Sequence, residues 1–200
     1  MTHPRKPFSQ ACEENRAPIL NVLRPYLADV RSLFEIGSGT GQHAVFLAGH
    51  LPSVVWQASD RPQSLPGIAL WFAEADLPNL PPPTALDVTG RWPEGRVDAV
   101  FSANTAHIMS DREVTAMFQG VPQLLSPGGI FALYGPFNYD NCYTSESNAA
   151  FDRWLKARDP KSGIKDFGVL NTLAQAGGLV LVKDHEMPAN NRMLVWKRPK

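Results

Sequence analysis

The sequence predicts an α/β fold, a doubly wound and mostly parallel sheet of seven strands that finishes in an antiparallel hairpin. Three observations lead there. From Ser32 to Leu133, strand-length apolar runs alternate with segments of helical periodicity, the rhythm of βαβ units. The run Phe34-Glu35-Ile36-Gly37-Ser38-Gly39-Thr40-Gly41-Gln42-His43-Ala44 reads as strand, tight turn and helix start. The last two apolar runs are separated only by Pro188-Ala189-Asn190-Asn191, too short for a crossover helix, so they pair antiparallel.

The elements follow in order. Ser9 to Leu27 reads as helix, with a break expected at Pro18 or a second helix starting there. Ser32–Ile36 is the first strand, and the helix after the glycine turn continues through His43–Gly49. Val54–Ala58 is the second strand, closed by Ser59-Asp60, and Leu70–Ala75 is helical. Pro81-Pro82-Pro83 forces an extended loop before a third strand at Thr84–Val88. Val97–Ser102 is the fourth strand. Ser110-Asp111-Arg112-Glu113 is a capping box before apolar positions at helical spacing, and Pro127-Gly128-Gly129 is expected to stop that helix. Ile130–Tyr134 is the fifth strand; helices are expected near Ala149–Ala157 and Phe167–Ala176. Leu179–Val182, extending toward Met187, and Met193–Trp196 complete the sheet.

Composition narrows the class. A chain of 200 residues with 44% hydrophobic content suits a single domain, here 1–200, with residues 1–30 forming an N-terminal helical lid segment. With 19 basic and 19 acidic residues there is no concentrated positive face, which argues against a nucleic-acid partner. No run approaches the roughly 20 apolar residues that span a bilayer, and the polar, proline-bearing start is unlike a signal peptide. Cys12 and Cys142 make no disulfide framework, so free thiols in a reducing cytoplasm are expected. His43, Cys142 and His185 share no metal-ligand spacing, and no metal site is read.

Alternate glycines let the chain take positive φ and let a ligand approach the backbone. The helix behind them aims free N–H groups into the same space. A dinucleotide loop needs a third glycine where this chain has Gln42, and a P-loop needs a lysine that is absent here. What stands is E-x-G-x-G-x-G. In an open α/β sheet ligands sit at the carboxyl ends of strands. Those ends carry Glu35 with the glycines and Ser38, then Asp60, then Asp87-Val88, then Asn104. A carboxylate at Asp60 suits two neighbouring ribose hydroxyls, Asp87 an adenine amino group, and Glu35 an ammonium. Asp60 and Asp87 also fit ordinary turn or capping acids.

The segments FEIGSGTGQHAVFLA, WQASD, LDVTGRWP, VFSANTAHI and LLSPGGIFALYGPF together resemble class I S-adenosylmethionine (SAM)-dependent methyltransferases over essentially the whole chain. YGPFN, ESNAAFDRWLKARDP, GIKDFGVL and MPANNRMLV, with EENRAPILNVL near the start, resemble the methyltransferase-like family of domain of unknown function 938. The resemblance implies a seven-stranded Rossmann-like sheet and SAM as cofactor, bound at Glu35, Gly37, Ser38, Gly39, Gly41, Asp60, Asp87, Val88 and Asn104. It implies no substrate. After the fourth strand the chain reads Asn104-Thr105-Ala106-His107 rather than an N-P-P-Y run, which speaks against an exocyclic amine and leaves oxygen, sulfur, ring nitrogen and carbon acceptors open.

His107 is the candidate base and Tyr134 a second candidate catalytic group, each also readable as a structural residue. Asn138, Tyr139, Asn190 and Asn191 are candidate substrate contacts on loops, and Asn15 and Arg16 candidate lid residues. The expected activity is methyl transfer to a small-molecule acceptor. A SAM-binding protein without catalysis is the alternative, and a nicotinamide oxidoreductase is disfavoured by Gln42 and the terminal hairpin.

Overall fold

The computed structural model describes residues 6–200; the part of the expected N-terminal lid that precedes residue 6 lies outside the described residues. Strands β1 (Ser32–Ile36), β2 (Val55–Asp60), β3 (Thr84–Ala85), β4 (Val97–Ala103) and β5 (Leu125–Gly135) pair in parallel. The two-residue strands β6 (Phe137–Asn138) and β7 (Lys165–Asp166) form a small separate parallel ladder that the sequence did not suggest. β8 (Val180–Met187) and β9 (Asn191–Lys197) make the expected antiparallel hairpin, with β9 against β5. The main sheet has seven strands in the order β3-β2-β1-β4-β5-β9-β8. The chain therefore reverses its winding between β1 and β4, where the carboxyl ends of neighbouring strands leave a crevice.

Helices α1 (Gln10–Tyr26), α2 (Gln42–His50) and α3 (Leu65–Ala75) follow the rhythm of the first strands, and α4 (Asp111–Leu124), α5 (Glu146–Arg158) and α6 (Phe167–Ala176) that of the later ones. One core layer joins α1 and α2 to the sheet around Leu23, Leu47 and Trp56. The other joins α4 and α6 to it around Phe118, Phe131 and Trp196, whose rings pack at 5.4–5.6 Å. No helix among the described residues is long and apolar enough to cross a membrane.

Four expectations are corrected. α1 runs unbroken through Pro18. An interior proline costs a helix about 3 kcal/mol, whereas each fully buried aliphatic side chain contributes about 1.5–3 kcal/mol. Ile19, Leu20 and Leu23 are all buried, so packing outweighs the missing hydrogen bond. α3 starts five residues earlier than expected, at Leu65 rather than Leu70, because Pro66 sits in its first turn. Pro127-Gly128-Gly129 does not stop α4: the helix already ends at Leu124 and the chain enters β5 at once. There the residues form an irregularity in the ladder, between the Val97–Leu125 and Ala99–Ile130 pairs, with Gly128 N–H donating to the Arg198 carbonyl at 2.8 Å. β3 is short because Leu86 still donates to the Asp60 carbonyl at 2.8 Å, after which Asp87 turns the chain by accepting from Thr89.

The capping box forms as read. Ser110 Oγ accepts from the Glu113 N–H at 3.3 Å, and the Glu113 carboxylate accepts from the Ser110 N–H at 2.7 Å. The Ser110→Ala protein should lose about 1 kcal/mol of stability, measured as a lower urea midpoint with unchanged slope.

Candidate functional site

The crevice at the reversal point is floored by the glycine turn. Gly37, Gly39 and Gly41 take φ of 71°, 60° and 89°. Gly37 and Ser38 donate their N–H groups to the Ser59 carbonyl at 3.0 and 2.9 Å, and Gly39 donates to Asp60 Oδ2 at 2.7 Å. The turn is thus bonded to the end of β2 amide by amide. The glycines serve different ends. A Cβ at Gly37 would lie 2.4 Å from Thr105 Cγ2, and one at Gly41 3.1 Å from Ile68 Cγ2. A Cβ at Gly39 would meet nothing within 4 Å, so this residue opens the floor to the crevice.

Two side chains brace the turn from behind. Glu35 is buried, and its Oε2 accepts from Ser38 Oγ at 2.8 Å and Trp56 Nε1 at 2.9 Å. Burial pushes its carboxyl up to about 7 against these hydrogen bonds. Gln42, the residue that broke the dinucleotide pattern, ties the start of α1 across the turn. Its Oε1 accepts from the Ser9 N–H at 2.6 Å and Thr40 Oγ1 at 2.9 Å. Its Nε2 donates to Glu13 Oε1 at 2.6 Å.

The resulting cavity has a volume of about 870 Å³. Gly37 to Thr40, Asp60, Ser64, Leu86 and Val88 form one wall, from the ends of β1, β2 and β3. Asn104, Thr105, His107, Met109 and Tyr134 form the opposite wall, from the ends of β4 and β5. Ser9, Cys12 and Asn15 of the α1 segment, Asn148 and Phe151 of α5, and Pro188 and Asn191 of the hairpin turn also line it.

Several expected residues therefore meet at one place: Gly37, Ser38, Gly39, Asp60, Val88, Asn104, His107, Tyr134 and Asn191. Asp60 accepts from two backbone N–H groups, Gly39 on Oδ2 and Arg61 on Oδ1, at 2.7 Å each. Asn104 holds φ 58° while its N–H donates to the Tyr134 carbonyl at 2.9 Å. His107 is buried with its ring edge-on to Phe151, centroids 5.2 Å apart. Desolvation, helped by the Lys165 charge, lowers its pKa to about 4. Burial raises the Tyr134 phenol to about 12, with Asn15 and Asn191 opposing.

Other expected residues stand elsewhere. Glu35 and Gly41 lie outside the cavity lining, one behind the turn and the other against Ile68. Asp87 is an exposed turn acid whose Oδ1 accepts from Thr89 N–H at 2.9 Å and Thr89 Oγ1 at 2.8 Å. Asn138 is buried on β6, where its Oδ1 has no hydrogen-bond partner among the described residues. Tyr139 donates its hydroxyl to Asp184 Oδ2 at 2.6 Å and stacks on Phe167. The Asn190 carbonyl accepts from Asn148 Nδ2 at 3.1 Å. Arg16 pairs with Glu13 at 2.7 Å over the Phe46 ring. None of these last four lines the cavity.

Sequence reasoning missed His43, Cys12, Thr105, Asn148 and Phe151 as lining residues. His43 is buried, hydrogen-bonded to Asn15 Oδ1 at 2.6 Å, and desolvation with the Arg16 charge lowers its pKa to about 4. A signal existed only for His43, two positions beyond Gly41 on the helix that opens the site. The others come from α1, α5 and the β4 loop, whose placement is tertiary.

This strand order, with its glycine turn at the reversal point, is the fold of SAM-dependent methyltransferases. The SAM-dependent methyltransferase SibL superposes with a TM-score of 0.79 at 24% identity, covering 94% of this chain and 56% of that one. Human N-acetylserotonin methyltransferase, solved with SAM, gives 0.80 at 13% identity over 96% and 53%. A putative O-methyltransferase from Nostoc punctiforme gives 0.81 at 14% over 93% and 56%. The chain spans little more than half the length of these solved proteins. By sequence, residues 6–198 match the family "Protein of unknown function (DUF938)", and the chain belongs to it.

Two predictions come from this geometry. Gly37→Ala must place a Cβ into Thr105 at positive φ, and should lower stability by about 2 kcal/mol or more. Adding Thr105→Ser, which removes Cγ2, should recover part of that loss in urea unfolding. The second concerns pH. His43 and His107 are held neutral in the fold, with pKa near 4 against an ordinary 6.5. Their stabilisation is complete above pH 6.5 and is lost as pH falls toward 4. Glu35 acts oppositely: protonated in the fold up to about 7 against an ordinary 4.5, it stabilises fully below 4.5 and less as pH rises to 7. Each displacement corresponds to about 3 kcal/mol. Two imidazoles outweigh one carboxyl, so unfolding free energy should rise between pH 4.5 and 6.5. In Glu35→Gln the rise should be steeper.

Proposed function

We propose that this protein binds SAM in the crevice and catalyses transfer of its methyl group to a small-molecule acceptor. The observation that carries this reading is the floor of the crevice: Gly39 opens onto the cavity beside the Asp60 carboxylate, where the winding of the sheet reverses. Each Asp60 oxygen holds one backbone N–H and keeps a lone pair for one of two adjacent ribose hydroxyls. Leu86 and Val88 offer an apolar slot for the adenine ring, with Asp87 at its edge. A volume of about 870 Å³ lies toward the upper end of the ~300–1,000 Å³ typical of small-molecule sites. It leaves room for an acceptor beside the cofactor.

When bound, SAM supplies an electrophilic methyl on sulfur that an acceptor atom takes by in-line displacement. The chain's own contribution is to orient and to exclude water. The α1 segment, tied to the turn by the bonds of Gln42 to Ser9 and Glu13, is proposed to serve as a lid over the cofactor. His107, neutral at physiological pH, can take a proton from an acceptor that must lose one. Tyr134 keeps its proton and acts as a hydrogen-bond donor. The two free thiols fit a reducing compartment such as the cytoplasm. The zero net charge fits a small acceptor better than a nucleic acid.

Calorimetric titration of the folded protein with SAM and S-adenosylhomocysteine should show one site per chain. Asp60→Ala should weaken both by about tenfold or more, the loss of a charge-assisted hydrogen bond or two. A folded protein that binds neither would overturn the reading.

A further inference from the structure

Among the described residues lining the cavity, three carry a formal charge: Glu14, Asp60 and Arg61. Asp60 and Arg61 stand together at the end of β2, and the Arg61 guanidinium is committed to Glu113. Glu14 is an exposed residue of α1 that accepts from Gln10 Nε2 at 3.1 Å. Among the described residues, the wall built from β4, β5, α5 and the hairpin turn has no charged residue among its lining side chains. Its titratable groups are two, His107 and Tyr134, and burial keeps both neutral near pH 7. His43, which also faces the cavity from α2, is neutral for the same reason. Lys165, whose charge acts on His107 from β7, lies outside the lining and is paired with Asp111 at 3.0 Å.

The same wall is apolar between its polar groups. Met109, Pro136, Phe151 and Pro188 contribute to it, and the Phe151 ring is fixed between His107 at 5.2 Å and Trp154 at 5.8 Å. An anion docked here would leave water without a countercharge, and no described side chain lining this wall offers one. A cation on this wall would find carboxylates only elsewhere in the lining: Asp60 at the end of β2, where the proposed cofactor's ribose lies, and the exposed Glu14 of α1. A neutral molecule with an apolar body gains from the burial and loses nothing in ionic hydration.

Resting on the proposed SAM reading, we infer that the acceptor is a small uncharged molecule, its apolar body against Phe151, Met109 and Pro188 and its polar X–H group toward His107. The wall selects by the absence of charge: it rejects carboxylated, phosphorylated and ammonium-bearing analogues of the same skeleton.

Binding separates this from the parent reading. The protein is first saturated with S-adenosylhomocysteine and then titrated by calorimetry, at pH 7, with para-cresol, para-hydroxybenzoate and tyramine. These share a phenol and differ in charge. Para-cresol is expected to bind at least about tenfold more tightly than either charged analogue. Equal or tighter binding of a charged analogue, with S-adenosylhomocysteine bound, would overturn the inference alone. So would failure of all three to bind up to their solubility limits. Failure of S-adenosylhomocysteine itself to bind would overturn the SAM reading, and this inference with it.

Discussion

Where β1 ends, the chain has to reverse direction within five residues while the first three N–H groups of the bend find partners on the neighbouring strand. Ser59 and Asp60 of β2 satisfy Gly37, Ser38 and Gly39 in succession. The turn therefore exists only when β1 and β2 are paired, and the start of α2 is set by the turn. From there the constraint spreads. Thr105 sits against Gly37, so the loop after β4 takes its position from the same bend. Gln42, at the first position of α2, places α1 across it through Ser9 and Glu13. The start of α1, the floor and the far wall are thus referred to one short stretch of backbone.

Around that stretch burial moves three ionisable groups toward their uncharged forms. Glu35 is raised, and His43 and His107 are lowered, all chiefly by desolvation. A buried charge without a partner is expensive, and a group that titrates instead avoids most of that penalty. The outcome is a crevice that is polar enough to hydrogen-bond and whose wall from β4, β5, α5 and the hairpin turn, among the described residues, carries no charged side chain. A site of this kind can discriminate by what it does not stabilise, which is a form of specificity independent of any single contact.

How far the sequence was legible depended on the range of the interaction. The capping box at Ser110 and Glu113 is local, four residues whose hydrogen bonds close on themselves, and it stands where it was read. The hairpin was readable because four residues leave no room for a crossover. Pro18 misled because propensity is a local quantity and the burial of Ile19, Leu20 and Leu23 is not. Asn138, Tyr139 and Asn190 stand outside the cavity lining for a related reason. They lie on loops near the crevice in sequence, but β6, Asp184 and Asn148 claim their backbone or side chains in space. Glu35 was recognised as part of the turn, yet its direction, toward Trp56 and away from the cavity, is a matter of strand pleat and packing.

By itself the sequence determined the mostly parallel seven-stranded sheet, the terminal hairpin, and the glycine turn at the end of the first strand. These depend on periodicity, glycine placement and connection length, all of which are properties of neighbouring residues. Only the tertiary structure decided what closes the crevice and what its far wall is made of. Asn15, His43, Asn148 and Phe151 come from three helices far apart in the chain. Their meeting depends on how α1, α2 and α5 pack against the sheet, and desolvation, which sets the protonation of His107 and Glu35, appears only after that packing is complete.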